Sequence, residues 1–213
     1  MYPTAHIYGN GHRSDMWPHI PTETPGAILD VGCGGGGFCR AIKKRLPTTL
    51  VWGIEANPEA AAGAREHADR VVHGLFPDDL PADAPLFDVV FFNDVLEHMS
   101  DPWNALRAAT GRLADGGIVI ASIPNVRNWN VVKRLVLNGD FSYQETGIMD
   151  RTHLRFFTRR TARQLFVDCG YAVDVCEPHN ISTTWKARLA SVTFMRASRE
   201  VRAAQVVVVA RPA

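Results

Sequence analysis

Five of the six residues from Gly32 to Gly37 are glycine, and they follow the apolar run Ala27-Ile28-Leu29-Asp30-Val31 directly. Glycine belongs where a backbone must take positive φ or approach a ligand so closely that no Cβ fits. A strand that opens into such a loop, followed by the helix-like Phe38–Leu46, turns free backbone N–H groups toward a ligand. The loop alone is ambiguous, because Gly32, Gly34 and Gly37 also satisfy the dinucleotide pattern G-x-G-x-x-G. Asp30 separates the two readings. A carboxylate beside the loop repels a pyrophosphate and suits a ligand with ammonium and sulfonium charges, so the loop reads as a site for S-adenosylmethionine (SAM) rather than for a nicotinamide cofactor.

The rest of the chain reads as one α/β domain. Short β-like runs (Ala27–Val31, Leu50–Glu55, Arg70–Gly74, Asp88–Asn93, Ile118–Ile123, Tyr171–Glu177, Ala204–Ala210) alternate with helical stretches, the pattern of a mostly parallel sheet covered by helices. Pro47 stops the first helix, Pro58 opens the second (Pro58–Ala68) and Asp101-Pro102 opens the third, which ends before Gly116-Gly117. Thr158 caps Arg159–Cys169, which ends at Gly170. Two stretches break the alternation: a lead over residues 1–22, and an insert over 124–157 that reads as a substrate lid carrying a short helix within Val126–Leu137. The helix-like Trp185–Ala197 is expected to pack on the sheet or to form an interface, and Arg196–Arg202 to be a solvated turn into the last strand. With 213 residues the chain suits a single domain, 1–213.

Composition narrows the partners. A formal net charge of +1 and the lack of a basic, aromatic-studded arm argue against nucleic acid. The four cysteines form no C-x-x-C pair, which suits reduced thiols in a cytoplasmic protein. The polar start lacks a secretory h-region, and Val206–Ala210 is too short to cross a bilayer.

Two further acids frame the loop. Glu55 closes the second strand 18 residues after Gly37, where a carboxylate can accept hydrogen bonds from both ribose hydroxyls. The fourth strand runs into Asn93-Asp94-Val95-Leu96-Glu97-His98 at the edge where ligands bind. Asp94, Glu97 and His98 have the residue types to gather a hard metal ion, or His98 can act as a base, or the acids can simply cap the turn. No metal is assigned.

Taken together, Ile28–Phe38, Glu55, Phe87–Met99 and Leu113–Ile120 resemble the class I SAM-dependent methyltransferases. The resemblance implies a Rossmann-like seven-stranded sheet of order 3-2-1-4-5-7-6, last strand antiparallel. It places Asp30, Gly32, Gly34 and Gly36 around the methionine part of SAM, Glu55 on the ribose, Leu75 and Phe76 beside the adenine, and Asn93 on the floor. Cys33, Phe38, Ala56 and Asp94 complete the expected cofactor set. Many members carry Gly-Asp after the third strand, whereas Gly74-Leu75-Phe76-Pro77-Asp78 stands here, so Asp78 or a backbone group is expected at the adenine. Ile123–Arg127 and Asp150–Thr158 resemble a bacterial subgroup associated with glycan assembly and, more loosely, the ubiquinone-biosynthesis O-methyltransferases. Some of the latter bind a divalent metal through E-x-x-E-H, whose first position is Asp94 here.

The expected activity is methyl transfer from SAM to a hydroxyl of a small molecule or glycan precursor. Such an acceptor needs a base with a pKa near the working pH. His153, in the polar loop Asp150-Arg151-Thr152-His153, is the first candidate and His98 the second, with Arg151 and Arg155 available to an acidic substrate group or to Asp140, Glu145 and Asp150. The alternatives are N-methylation of an amine or protein side chain, and a non-catalytic SAM-binding regulatory subunit.

Overall fold

The computed structural model describes residues 13–184 and 199–213. Its elements run β1 (Ala27–Val31), α1 (Gly37–Arg45), β2 (Leu50–Glu55), α2 (Pro58–Ala64), β3 (Arg70–His73), β4 (Phe87–Asn93), α3 (Pro102–Thr110), β5 (Leu113–Pro124), α4 (Trp129–Asn138), α5 (Arg159–Asp168), β6 (Tyr171–Ile181) and β7 (Ala203–Pro212). The strands form one sheet in the order β3-β2-β1-β4-β5-β7-β6. β1 runs parallel to β2 and β4, and β2 to β3, whereas β6 and β7 are antiparallel. The expected topology is therefore the observed one.

The described residues fall into two compact units. The first comprises residues 13–93 and 104–120, the second 94–103, 121–184 and 199–213. In the first, all five residues of β1 are buried, as a central parallel strand covered on both faces requires. Phe87, Val89, Val90, Phe91 and Phe92 do the same for β4. α1 buries Phe38, Cys39 and Ile42 and carries Lys43, Lys44 and Arg45 in its last turn, where positive charge complements the helix dipole. α2 begins at the expected proline, but it ends at Ala64 rather than Ala68.

In the second unit, α5 buries Ala162, Leu165 and Phe166, and Phe166 meets Tyr171 edge-on at 5.8 Å. Thr158 and Thr161 exchange side-chain and backbone hydrogen bonds at its start, and Gly170 follows its end at φ 83°. The motif Ile123–Arg127 is a clasp. Asn125, fully buried, donates from Nδ2 to the carbonyls of Glu200 (2.7 Å) and Ala203 (3.1 Å) and accepts at Oδ1 from the Arg127 N–H. Asn128 adds a bond to the Ala203 carbonyl at 3.0 Å and caps α4.

Several expected boundaries move. β5 starts at Leu113, five residues early, and β6 and β7 are longer than expected at their paired ends, Ile181 and Ala203. The turn before β7 is not solvated where it is described: Glu200 and Val201 are 8% and 1% exposed in a short 3-10 turn, with Glu200 paired to Arg127 at 3.1 Å. Trp185–Ala197 and residues 1–12 lie outside the described residues. Within the insert, α4 forms as expected; Val131 is buried, whereas Val136 and Leu137 are exposed.

The cap of α5 yields a stability test. Thr158→Ala is expected to destabilise the protein by about 1 kcal/mol in urea denaturation, and Thr158→Ser to retain most of that.

Candidate active site

In the first unit, β1 delivers Asp30 to the start of the glycine loop with only 2% of the residue exposed. Its Oδ1 lies 3.4 Å from the donating Asn93 Nδ2 and its Oδ2 3.7 Å from the Cys39 thiol. Burial pushes the carboxyl up to about 7, against the pull of Asn93, of the Arg13 charge and of Cys39, with the negative Glu55 adding to the rise. Asp30 is therefore poised between its two protonation states near neutral pH.

The loop itself is held by Glu55. Its Oε2 accepts from the Gly34 N–H and its Oε1 from the Asn57 N–H, both at 2.8 Å. The glycines divide the work. A Cβ on Gly36 (φ 78°) would come within 2.8 Å of the Ala64 Cα, so this position serves close approach of α2. A Cβ on Gly34 (φ 52°) would meet nothing within 4 Å, so the backbone there faces open space.

Other expected cofactor residues have mixed settings. Cys33 is 7% exposed, and Ala56 lies exposed between Glu55 and Asn57. Phe38 is buried edge-on against Phe91 at 4.9 Å, and Phe76, 8% exposed, against Phe92 at 5.7 Å. Leu75 is 54% exposed, and its N–H donates at 2.7 Å to Asp79, the neighbour of the expected Asp78. Asn93 Oδ1 is buried and has no hydrogen-bond partner among the described residues.

Sequence reasoning missed Arg13. It caps the 3-10 turn Ser14–His19, anchored by the fully buried Met16 and by Trp17, whose ring lies 5.8 Å from Phe38. Arg13 pairs with Asp15 at 3.2 Å, and its charge is near enough to lower Asp30. The apolar pair Met16-Trp17 inside a polar lead is the signal that would have found it.

The second unit gathers the histidines. The His98 Nδ1 lies 3.2 Å from the Thr152 carbonyl and 3.1 Å from the Thr152 hydroxyl, whose own proton goes to Asp150 at 2.7 Å. A carbonyl only accepts, so His98 Nδ1 carries a proton and Nε2 is left with the lone pair of a base. Burial, then the neighbouring His153, lower the His98 pKa below its ordinary value. His153 is 5% exposed; its Nδ1 donates to the Ile148 carbonyl at 3.0 Å and its Nε2 lies 4.0 Å from Glu97. The two imidazoles meet edge-on at 4.7 Å. One ligand atom from each of Glu97, His98 and His153 lies within 4.8 Å of the others, a set able to hold a metal ion. Asp94 is not part of it. Both Asp94 oxygens accept from the Gln205 amide, at 2.5 and 2.7 Å. Arg151 pairs with Glu145, and Arg155 donates to the Ser100 carbonyl at 2.7 Å.

Comparison with known proteins identifies the family. Residues 13–175 match the family described as the methyltransferase domain. The chain belongs to this family, in its class I SAM-dependent form. The methyltransferase is 29% identical over 191 residues to a ubiquinone biosynthesis O-methyltransferase of Psychrobacter arcticus, covering 83% of this chain and 72% of that protein. It is 32% identical over 134 residues to a trans-aconitate 2-methyltransferase of Streptomyces avermitilis, covering 57% of this chain and 50% of that one. It thus spans about half the length of the trans-aconitate relatives it matches. A SAM-dependent methyltransferase of Archaeoglobus fulgidus shares the fold at a TM-score of 0.69 and 15% identity, over 96% of this chain and 95% of that one.

The first unit fits SAM. A buried carboxylate suits the cofactor's cationic groups, the Arg13 guanidinium suits its carboxylate, and the open face at Gly34 leaves room for backbone approach. A cation binds the ionised form of Asp30, so proton uptake below pH 7 competes with it. By titration calorimetry, SAM affinity is expected to rise roughly fivefold to tenfold from pH 6 to pH 7.5 and then level off. Asp30→Asn should bind more weakly and flatten the profile; a flat profile in the unaltered protein would contradict this account.

Proposed function

We propose that this methyltransferase transfers the methyl group of SAM to a hydroxyl of a small molecule or glycan precursor, with His98 as the general base. The observation that carries the reading is the His98 ring, whose Nδ1 proton is committed to Thr152 so that Nε2 holds the lone pair. Bound SAM supplies a methyl group already activated by its positive sulfur, so the protein's main tasks are alignment, exclusion of water and removal of one proton. Asp30, with Arg13, takes the amino-acid end of the cofactor. The loop from Gly32 to Gly36 lies along it, Glu55 and the adjoining Ala56 take the ribose, Leu75 takes the adenine face, and Asn93 offers its unpartnered amide oxygen. Phe38 and Phe76 support these positions from the core. The likeness to a ubiquinone biosynthesis O-methyltransferase favours an oxygen acceptor.

His153 serves this site as a partner of His98 and Glu97. Its low exposure and its bond to the Ile148 carbonyl suit a bracing role better than proton abstraction from a substrate. The metal reading rests on the 4.8 Å cluster of Glu97, His98 and His153. A cation held there would occupy the lone pair that makes His98 a base, and it would bind and polarise an acceptor oxygen instead.

Titration calorimetry with SAM and S-adenosylhomocysteine, with NAD as control, tests the cofactor; adenosyl binding is expected and should be lost in Glu55→Ala. With an acceptor in hand, His98→Ala is expected to lower kcat by about two to four orders of magnitude, the usual range for a general base, while SAM affinity is preserved. Activity that survives chelation supports the base. Activity lost to a chelator and restored by a divalent ion would replace the base by the metal.

A further inference from the structure

One nitrogen of His98 meets two oxygens of the same residue, and the two differ in kind. Nδ1 lies 3.2 Å from the Thr152 carbonyl and 3.1 Å from the Thr152 hydroxyl. A carbonyl oxygen only accepts, so it calls for a proton on Nδ1, whereas a hydroxyl can accept or donate. A hydroxyl that donated to Nδ1 would select the opposite tautomer, with the proton on Nε2 and no lone pair there for a base. The direction of the Thr152 hydroxyl therefore bears on whether His98 can take a proton at Nε2.

Asp150 sets that direction. Its Oδ1 accepts from the Thr152 N–H at 2.8 Å and from the Thr152 hydroxyl at 2.7 Å. A hydroxyl has one proton. With that proton drawn to a carboxylate oxygen, the Thr152 oxygen turns its lone pairs to Nδ1 and accepts beside the carbonyl. Asp150 is itself fixed in place. It is 3% exposed, its N–H donates to the Gly147 carbonyl, and its carbonyl accepts from the His153 N–H, both at 3.0 Å. Asp150, Thr152 and His98 all belong to the second unit.

His153 gives the contrast within the same loop. Its Nδ1 donates to the Ile148 carbonyl at 3.0 Å, an oxygen whose role needs no second group to decide it. At His98 the ambiguous partner is present, and a buried carboxylate stands behind it. The bond from Asp150 to the Thr152 N–H would brace the turn by itself. The additional bond to the hydroxyl is the one that fixes a proton beside the imidazole.

We propose that Asp150 is a positioning residue for the base: by taking the Thr152 hydroxyl proton, it selects the His98 tautomer that keeps the lone pair on Nε2. The inference rests on the reading of His98 as general base and adds the group that maintains it.

The test reads the tautomer by nitrogen-15 NMR of the full chain at about pH 8.5, above the ordinary imidazole range, with His98→Gln identifying the signal by its loss. The unaltered protein is expected to show His98 protonated on Nδ1. In Asp150→Asn the hydroxyl is released to donate, and the share of His98 protonated on Nε2 should rise about threefold or more, the scale of part of one hydrogen bond. Thr152→Val keeps the carbonyl and removes the hydroxyl, so the Nδ1 tautomer should persist. The double variant Asp150→Asn/Thr152→Val should return to it, because the only oxygen of residue 152 left at Nδ1 can only accept. S-adenosylhomocysteine affinity should stay within about twofold throughout. An unchanged tautomer in Asp150→Asn would mean that the carbonyl alone decides, and would overturn the proposal. A change that the double variant fails to reverse would make Asp150 a brace for the loop and overturn it equally. Neutron diffraction from the unaltered protein needs no variant to fold. It should place the Thr152 hydroxyl deuterium toward Asp150, and a deuterium toward His98 would refute the assignment. If His98 of the unaltered protein carries its proton on Nε2, the base reading itself fails and the proposal falls with it.

Discussion

The cofactor half of this protein depends on one carboxylate spending both oxygens on backbone. Glu55 ends β2, and from there it holds the N–H of Gly34 in the loop after β1 and the N–H of Asn57 at the start of α2. A loop with five glycines has many conformations to lose, and a charged acceptor on its backbone compensates part of that cost. The consequence reaches the packing. With Gly34 fixed, Gly36 can turn into α1 in left-handed geometry with Ala64 against it, and the loop's exposed edge stays open at Gly34. Removal of Glu55 would take away the shape of the loop.

A similar economy governs the second unit, where carbonyl groups set the chemistry of two imidazoles. Thr152 and Ile148 each turn a backbone oxygen to an Nδ1, and an oxygen that can only accept dictates where the proton sits. Asp150 supports this arrangement by taking both the N–H and the hydroxyl proton of Thr152. The Leu154 and Arg155 N–H groups bond the Glu97 carbonyl, which ties the histidine loop back to the segment that carries His98. The tautomers are thus properties of the loop's backbone path.

Where sequence reasoning succeeded, the physical signal was local. β1 and β2 were legible to the residue because an apolar run met an acid and a glycine, or an acid and a proline-started helix. The strand order followed from the resemblance carried by those motifs. β5 was underestimated because Ala114-Asp115-Gly116-Gly117 reads as a turn, although the strand extends through it. The ends of β6 and β7 were missed because their pairing is with each other, and no local pattern records which residue stands opposite. Phe38 and Phe76 pack their rings on Phe91 and Phe92, a partnership that sequence spacing does not encode.

The residues that escaped altogether share one property: each acts through a partner far away in the chain. Arg13 matters because a 3-10 turn anchored by Met16 and Trp17 brings its charge near Asp30. Gln205 sits in a valine-rich strand where a lone glutamine looks like an ordinary polar interruption, and it meets Asp94 across 111 positions of sequence. Asn180 reads as a polar residue near a strand end, and only its backbone angle marks it as unusual. In each case the residue type is unremarkable, and the geometry carries the information. The glycine loop could be read in advance because its chemistry is written in consecutive residues. The polar network around Asp94 could not, because strands distant in the chain must already be paired before its members face one another.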